Sequence, residues 1–496
     1  VPCALNITVT KKGYRIAYVW EASQVPQLHP EPGMLPLYLH AMRILVSTAP
    51  DWAAVSRWYD ELCRKHIEKV SPELVAKSRE LAAGAKSEME TIQAIFRFVS
   101  TQVRYTGITR EDEAPGYEPH DVDLTFRQRY GVCRDKAALL VAMLRAAGLD
   151  AYPVLFMAGT PKDAEVPNNY FNHAVAAVKT VDGEYVLMDP TDETTTELLP
   201  SYAMNRSYLA ATPKGDGLRR TPEVPAEKNL LSIRSTGSVD RENRLHCRSV
   251  FGFEGINDNI YRGAFSRWPR EYLEQFLAST LKRLVPGAEL VRYELRPSDI
   301  RDLGRKLELE LEFSVPAFVN IAWGEGVLTP PFLGGGFGAL NFLLGDTGLD
   351  ERHYPLETTS TAGIVEQFEL TLPEFLTVAA LPQYRGNAAG PLLTERKVEA
   401  EKNQIRGSQS IRLAQSSIVP DDYRKLKNTL RELDAGDRQT VVVKRDFTVG
   451  AAQLFPNAQS ILEQSSVECT VTAPDEYVIT TRQRRRILNY GGVKAF

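Results

Sequence analysis

The chain contains few cysteines, five among 496 residues, and none of them lies in a Cys-x-x-Cys pair. Cysteines this sparse exclude a disulfide-stapled scaffold, which depends on closely spaced pairs. Cys63 and His66 lie near each other in sequence, but two potential ligands without further Cys or His nearby do not make a zinc site. Residues 334–338 are glycine-rich but lack the Lys-Ser/Thr of a phosphate-binding loop. We therefore expect no metal and no nucleotide cofactor.

A strong net charge is also missing, since the formal net charge is -4 and the pI is near 6.1. Such a chain has no global field that would hold nucleic acid or an acidic membrane surface, so nucleic acid is not an expected partner. The most apolar stretch, residues 327–345, is uncharged but contains two prolines and five glycines. Those residues would interrupt a helix embedded in a bilayer, so we expect no membrane span.

No export signal is visible at residues 1–5, which are neither a start methionine nor a charged segment followed by an apolar core. Either a signal has been removed, or the chain is a fragment.

The length, 496 residues, is too great for one ordinary hydrophobic core, and about two to four domains are expected. Residues 205–229 have the proline- and glycine-rich composition of a linker. Beyond them, residues 307–313 and 367–372 alternate in polarity like strands with one solvated face, with helices expected near 269–284 and 420–433. The expected division is 1–48 as part of a flanking β domain, 49–205 as an α+β catalytic core, 206–228 as a linker, 229–446 as a β-rich domain, and 447–496 as a β segment that either opens another β domain or completes the N-terminal one.

The central region combines helices with short strands. Residues 52–67 and 72–83 are predicted helices, and a third follows Ser87, which begins a Ser-x-x-Glu capping box. A further helix begins at Cys133, and Gly148 ends its apolar stripe. Strands are predicted at 152–157, 172–179 and 184–188.

Three residues of this region are candidates for catalytic roles. Cys133 lies in the first turn of its helix, where the positive end of the helix dipole lowers the thiol pKa and favours the nucleophilic thiolate. His173 follows 40 residues later and Asp189 another 16. In this order an imidazole can take the thiol proton while a carboxylate fixes the imidazole tautomer. Each residue alone also has a structural interpretation, as an inert buried thiol, a strand histidine or a turn-capping aspartate. Together they favour papain-like thiol chemistry.

The turn at residues 182–183 decides whether the three residues can meet. A two-residue loop would put Asp189 on the face of the hairpin opposite His173. A three-residue loop, with Gly183 in the left-handed region, pairs Val175 with Asp189 and brings Asp189 to the face of His173. We predict the three-residue loop.

Three segments follow one another in order: Gly131-Val132-Cys133-Arg134-Asp135-Lys136-Ala137, Asn172-His173-Ala174-Val175 and Met188-Asp189-Pro190-Thr191. Together they resemble the core of the bacterial transglutaminase-like superfamily. Tyr18-Val19-Trp20, Arg352-His353-Tyr354-Pro355-Leu356 and Leu381-Pro382 are similar to modules of the branch in which β-sandwich domains flank such a core in bacterial envelope proteins. The resemblance covers most of the chain. It implies an α+β multidomain fold, with a papain-like, transglutaminase-like core flanked by antiparallel β-sandwich domains.

The resemblance also implies a mechanism and a location. Cys133 attacks an amide and forms an acyl-enzyme, His173 acts as general base and acid, and Asp189 orients His173. Water then gives hydrolysis, whereas an amine gives crosslinking. The implied location is extracytoplasmic, either periplasmic or at the cell surface.

Support residues are less well defined. An oxyanion donor is needed, usually the backbone N–H of the nucleophile with one side chain. Tyr105 and Gln128 are both candidates, and the sequence does not choose between them. Asp135, two residues past Cys133, is expected to brace the helix rather than to catalyse. Asn172, beside His173, is a further support candidate.

The first expectation for function is a thiol-dependent hydrolase, a cysteine protease or amidase, whose partner is a peptide or protein substrate, including a cell-envelope component. The second is a protein-glutamine transglutaminase that makes isopeptide bonds. The third is a non-catalytic envelope scaffold with a vestigial triad.

The two ends of the chain form a further hypothesis. Residues 476–487 are a predicted strand, and residues 465–492 resemble the opening of the flanking β module whose closing part lies at residues 1–20. The chain is therefore either cut from a longer tandem protein, or its two ends pair to complete one sandwich.

Overall fold

The region that contains Cys133 consists of helices and a five-stranded sheet. The computed structural model describes residues 4–107, 116–322, 324–446, 458–473, 476–488 and 493–494. The helices of this core are α1 (Trp52–Ile67), α2 (Pro72–Ala82), α3 (Glu88–Gln102), α4 (Val122–Gln128) and α5 (Cys133–Ala146). Preceded by the N-terminal strands β1 (Ala4–Lys12) and β2 (Arg15–Ser23), its strands are β3 (Arg104–Tyr105), β4 (Tyr130–Gly131), β5 (Ala151–Met157), β6 (His173–Lys179), β7 (Tyr185–Met188), β8 (Ser207–Ala210) and β9 (Arg219–Arg220).

Helix α5 is the centre of the core. Its residues from Asp135 to Leu144 are all buried, because α1, α2, α3 and α4 contact it on one side and β6 on the other. The predicted helix start at Cys133 is confirmed, and Gly148 follows the helix with a φ of 90°. This left-handed residue closes the helix C-terminus as predicted.

The core sheet has the strand order β7-β6-β5-β8-β9. Ala176 pairs with Met188, and the N–H of Thr180 donates to the carbonyl of Glu184 at 2.9 Å, which extends the same register to the turn. Gly183 has a φ of 86°. The predicted three-residue loop is therefore confirmed.

The segment predicted as a linker, residues 206–228, is in part ordered core structure. Strands β8 and β9 lie within it, and β8 pairs with β5 in the core sheet. The composition of the segment misled the prediction because its prolines and glycines lie between and after these short strands rather than in a free tether. The core sheet thus continues past residue 205.

A second hydrophobic core follows, built from two further sheets. Its seven-stranded sheet has the order β12-β13-β11-β10-β17-β20-β19, and its four-stranded sheet has the order β14-β15-β22-β18. The elements are β10 (Leu230–Val239), β11 (Leu245–Phe253), α6 (Ile256–Phe265), α7 (Arg270–Leu284), β12 (Glu289–Arg296), β13 (Leu307–Val315), β14 (Asn320–Ala322), β15 (Glu325–Leu328), α8 (Leu340–Leu343), β16 (Leu356–Glu357), β17 (Ala362–Thr371), β18 (Leu376–Ala380), β19 (Leu392–Glu401), β20 (Gln404–Leu413), β21 (Ser417–Ile418), α9 (Pro420–Asp437) and β22 (Val441–Arg445).

The predicted antiparallel arrangement of this region needs one correction. Strand β10 pairs with β17 in parallel, whereas the other neighbours in the seven-stranded sheet are antiparallel. A parallel pair needs a long crossover connection, and here the chain between the two strands contains β11 to β16 with three helices. Local alternation of polarity does not reveal strand direction, so the sequence could not predict this pair.

Each end of the described chain forms a separate hairpin. Strand β1 pairs with β2, and β23 (Ser460–Ala473) pairs with β24 (Glu476–Ile487). The predicted strand at 476–487 is confirmed, but the two hairpins belong to different two-stranded sheets, so the described ends do not pair with each other. Of the predicted β segment 447–496, residues 447–457, 474–475, 489–492 and 495–496 lie outside the described residues. The origin from a tandem protein stays a prediction.

Among the described residues, no helix is long and apolar enough to cross a membrane.

Candidate active site

Cys133 is placed by a short parallel strand pair. Strand β4 pairs with β3 so that Tyr105 lies opposite Gly131, and the chain then passes through an extended Val132 into α5. Cys133 is the first residue of that helix and is partly exposed. The thiol therefore lies at the positive end of the helix dipole, as predicted from the sequence.

Asp135 braces this junction. One of its carboxylate oxygens accepts a hydrogen bond from the N–H of Val132 at 3.1 Å, and the other accepts one from the N–H of His120 at 2.9 Å. A β-carbon at Gly131 would lie 2.8 Å from the β-carbon of Asp135, so only glycine fits there. The predicted bracing role of Asp135 thus has a direct structural basis.

Replacement of Asp135 by Ala should lower the free energy of unfolding by about 1–3 kcal/mol, because the buried N–H of Val132 and the partly buried N–H of His120 lose their acceptor. Urea denaturation followed by circular dichroism would measure the loss. Asp135→Asn retains one oxygen acceptor and should cost less. Equal stability of wild type and Asp135→Ala would contradict the bracing role.

His173 connects the thiol to Asp189. Its Nε2 lies 2.8 Å from Oδ2 of Asp189, and its side chain is also hydrogen-bonded to Cys133. Since Nε2 is engaged by Asp189, Nδ1 is the ring nitrogen left for the thiol. The structure therefore brings the three predicted residues together in one hydrogen-bonded chain.

The charges in this chain of contacts stabilise one another. Burial by itself would raise the pKa of the Cys133 thiol, but the hydrogen bond and charge of His173 outweigh burial and lower it. Burial would lower the pKa of His173, but Asp189 and Cys133 raise it to about 10. For Asp189 burial again opposes ionisation, and His173 with Thr191 lowers the pKa. These shifts favour the thiolate of Cys133 and the imidazolium of His173.

Several supporting residues were missed by the sequence analysis. Thr191 donates from its N–H and its hydroxyl to Oδ1 of Asp189, at 3.0 and 2.6 Å. An aspartate two residues before a threonine is a recognisable turn pattern, so this contact could have been found. The hydroxyl of Tyr117 bonds both the carbonyl and the N–H of Phe171, at 2.8 and 3.0 Å, and so holds the chain just before His173.

Tyr105 lies close to Cys133 and Asp189, whereas no described contact joins Gln128 to the triad. Burial raises the pKa of Tyr105, and the charges of Cys133 and Asp189 raise it further, so its hydroxyl remains a protonated donor. Gln128 is exposed at the end of α4.

Asn172 is engaged by the backbone of a neighbouring strand. Its side-chain oxygen accepts from the N–H of Ala158 at 2.8 Å, and its amide donates to the carbonyl of Ala158 at 2.7 Å. Asn172 thus holds the start of β6 against the end of β5, which is a positioning contact rather than an oxyanion contact.

Lys136 is a buried cation beneath the site that the sequence analysis did not single out. Its side chain is fully buried, and its ammonium donates to the carbonyls of Ser100 and Val103. Burial lowers its pKa to about 8, while Glu193 and Asp189 oppose that shift. These contacts tie α5 to the end of α3 and to the chain that leads into β3.

A cavity of about 570 Å³ lies beside His173 and Asp189. Part of its wall belongs to the following region of the chain, because helix α6 reaches it. The amide of Asn259 on α6 donates to Oδ2 of Asp192 at 2.6 Å, and the hydroxyl of Tyr202 donates to the same oxygen at 3.0 Å. The α6 residues that line the cavity are Ile256, Asn259 and Ile260.

Comparisons with known proteins show similarity in the core sequence and in the fold. Residues 75–190 match the family model described as the transglutaminase-like superfamily. A solved structure from Parabacteroides distasonis, described as that of a "putative protease", is similar with a TM-score of 0.54 and 15% sequence identity, covering 89% of this chain and 69% of that chain. No curated protein matches the chain significantly. At this identity the likeness to the solved structure concerns the fold. The predicted fold class, a transglutaminase-like core with sheet-rich flanking regions, is confirmed.

Proposed function

We propose, from the transglutaminase-like core that this chain carries, that the protein is a thiol-dependent hydrolase of peptide or amide bonds. The observation that supports the proposal most directly is the contact chain from Cys133 through His173 to Asp189. In a cysteine hydrolase each of these groups has a separate role.

The proposed reaction proceeds in two steps. The thiolate of Cys133 attacks the carbonyl carbon, a carbon–sulfur bond forms, the carbon–nitrogen bond breaks, and the imidazolium of His173 gives its proton to the leaving amine. Water, deprotonated by His173, then attacks the thioester carbonyl, the carbon–sulfur bond breaks, the acid product leaves, and the thiolate of Cys133 and the imidazolium of His173 are restored. Asp189 orients His173 throughout. The backbone N–H of Cys133 and the hydroxyl of Tyr105 are the proposed oxyanion donors.

Alkylation tests the assignment of the nucleophile. At pH 6 iodoacetamide should modify Cys133 faster than any other cysteine, because burial raises the pKa of both Cys63 and Cys247 to about 12. Peptide mapping by mass spectrometry would follow each cysteine separately, including the exposed Cys469. A Cys133 that reacts no faster than the buried thiols would favour a scaffold with a vestigial triad.

Turnover tests the reaction. Incubation with a diverse peptide library should give new peptide termini, and Cys133→Ala should abolish them while the circular dichroism spectrum is unchanged. Asp189→Ala should reduce cleavage less than His173→Ala, since Asp189 orients the base without taking the proton. Incorporation of a primary amine into glutamine peptides without cleavage would instead favour the transglutaminase, which shares the acyl-enzyme step.

The proposed partner is a peptide or protein substrate. Its origin in the cell envelope and an extracytoplasmic location remain predictions from the resemblance.

A further inference from the structure

We infer that the cavity beside His173 is a substrate subsite that recognises a carboxylate, through the guanidinium of Arg206. This inference rests on the proposed function, and it specifies the class of substrate: peptides that carry an acidic side chain close to the bond that is cleaved.

The position of Arg206 is the first part of the argument. Arg206 lines the same 570 Å³ cavity as His173 and Asp189. Its backbone N–H donates to the hydroxyl of Thr221 at 2.8 Å, which fixes the residue at the start of β8. One arm of its guanidinium donates to the carbonyl of Gly159 at 2.8 Å. One backbone contact and one side-chain contact therefore hold Arg206 at the cavity wall.

The charge of Arg206 is the second part. Within the described residues, no carboxylate makes an ion pair with its guanidinium. Glu357 acts on it through its charge alone, and one oxygen of Glu357 already accepts a bond from the hydroxyl of Ser417 at 2.6 Å. Asp189, in the same cavity, is engaged by His173 and Thr191. A half-buried guanidinium without an acidic partner has its remaining N–H donors open to a ligand.

The remaining wall fits a side chain with an apolar stem and a charged end. Phe156 and Ala203 of the core are buried and line the cavity, as do Ile256 and Ile260 of α6. Methylene groups can pack on these residues while a terminal carboxylate meets Arg206. Guanidinium–carboxylate hydrogen bonds are charge-assisted and commonly bidentate, so this contact distinguishes an acid from its amide.

Alkylating peptides test the inference directly on the whole protein. The first pair of probes is the chloromethyl ketones of acetyl-Glu and acetyl-Gln. The second pair is the chloromethyl ketones of acetyl-Glu-Gly and acetyl-Gln-Gly, in which the acid or amide lies one residue further from the reactive carbon. At one of the two positions the Glu probe should modify Cys133 about tenfold faster than the Gln probe.

Variants at residue 206 identify the source of the preference. Arg206→Gln should bring the Glu-to-Gln ratio to about one, and Arg206→Lys should keep part of it, because the charge is retained without the planar fork. Arg220→Gln is the matched control, since Arg220 is an exposed neighbour whose charge also acts on Arg206 but which does not line the cavity. This control should leave the ratio unchanged.

Iodoacetamide separates the failure of this inference from the failure of the proposed function. It is small and neutral, so its rate reports on the thiol and His173 alone, and an unchanged rate in Arg206→Gln also shows that the site is still folded. If iodoacetamide reacts normally but the ratio is near one at both positions, or persists in Arg206→Gln, the carboxylate subsite is wrong. If labelling of Cys133 by iodoacetamide does not depend on His173, the proposed function is wrong.

Discussion

Alkylation of Cys133 should remain fast as the pH falls from 8 to 6, whereas in His173→Ala it should fall steeply over the same range. His173 lowers the pKa of the thiol, and its own pKa of about 10 keeps the imidazolium charged throughout this window. The ion pair therefore exists at pH values above the lowered pKa of Cys133 and below about 10, where His173 loses its proton. Without the imidazolium, burial raises the pKa of the thiol, and only backbone hydrogen bonds from Ala174 and Arg134 oppose it.

The expected loss in His173→Ala is about 100-fold or more at pH 6, since an ordinary thiol with a pKa near 8.5 is then well under one per cent ionised. The lower intrinsic reactivity of a low-pKa thiolate offsets only part of this difference. The measurement is the second-order rate constant with iodoacetamide at Cys133 across pH 5.5 to 9. His66→Ala is a matched control, because His66 is also partly buried beside a carboxylate, that of Glu118. Identical pH profiles for wild type and His173→Ala would contradict the ion pair.

Replacement of Arg262 by Met should lower the free energy of unfolding by about 3–5 kcal/mol. Arg262 is fully buried on α6 and forms two hydrogen bonds with Asp258, at 3.0 and 2.8 Å. Its guanidinium also donates to the carbonyls of Ile300 and Arg305, at 2.5 and 2.8 Å. The substitution leaves a buried carboxylate and several carbonyls without their donor, so its cost is much greater than that of an exposed ion pair.

Chemical denaturation of the whole protein would measure this loss, with Arg248→Met as the control. Arg248 also binds a carboxylate through two bonds, to Glu310 at 2.6 and 2.7 Å, but its side chain is more than half exposed. Solvent screening should make that substitution far less destabilising. Similar losses for the two variants would show that burial does not determine the contribution of Arg262.

The link between Arg262 and the candidate site is α6 itself. Arg262 holds this helix to its own domain through the carbonyls of Ile300 and Arg305, while Asn259 binds Asp192 of the core. If the Arg262→Met protein stays folded, it therefore tests whether the position of α6 in the cavity wall depends on Arg262.

The sequence predicted the elements that depend on neighbouring residues. The helix start at Cys133, its end before Gly148 and the loop that carries Gly183 were all predicted, because caps, turns and hydrophobic periodicity are decided within a few residues. The register of the β6–β7 hairpin follows from its loop, so the face shared by His173 and Asp189 could be derived before the structure was known.

Only the tertiary structure determined what depends on distant segments. The strands β8 and β9 were predicted as linker because strands of four and two residues have almost no periodic pattern of polarity. The parallel direction of β17 beside β10 leaves no pattern in the sequence at all. Nothing in the sequence distinguishes Lys136 from other helix lysines, and only the structure shows that its ammonium donates to the carbonyls of Ser100 and Val103. The cavity wall depends on α6, which follows Asp192 in the chain by more than sixty residues and meets it through Asn259. Such contacts arise when separately formed hydrophobic surfaces pack together, and the free energy of that packing is not encoded in any local pattern.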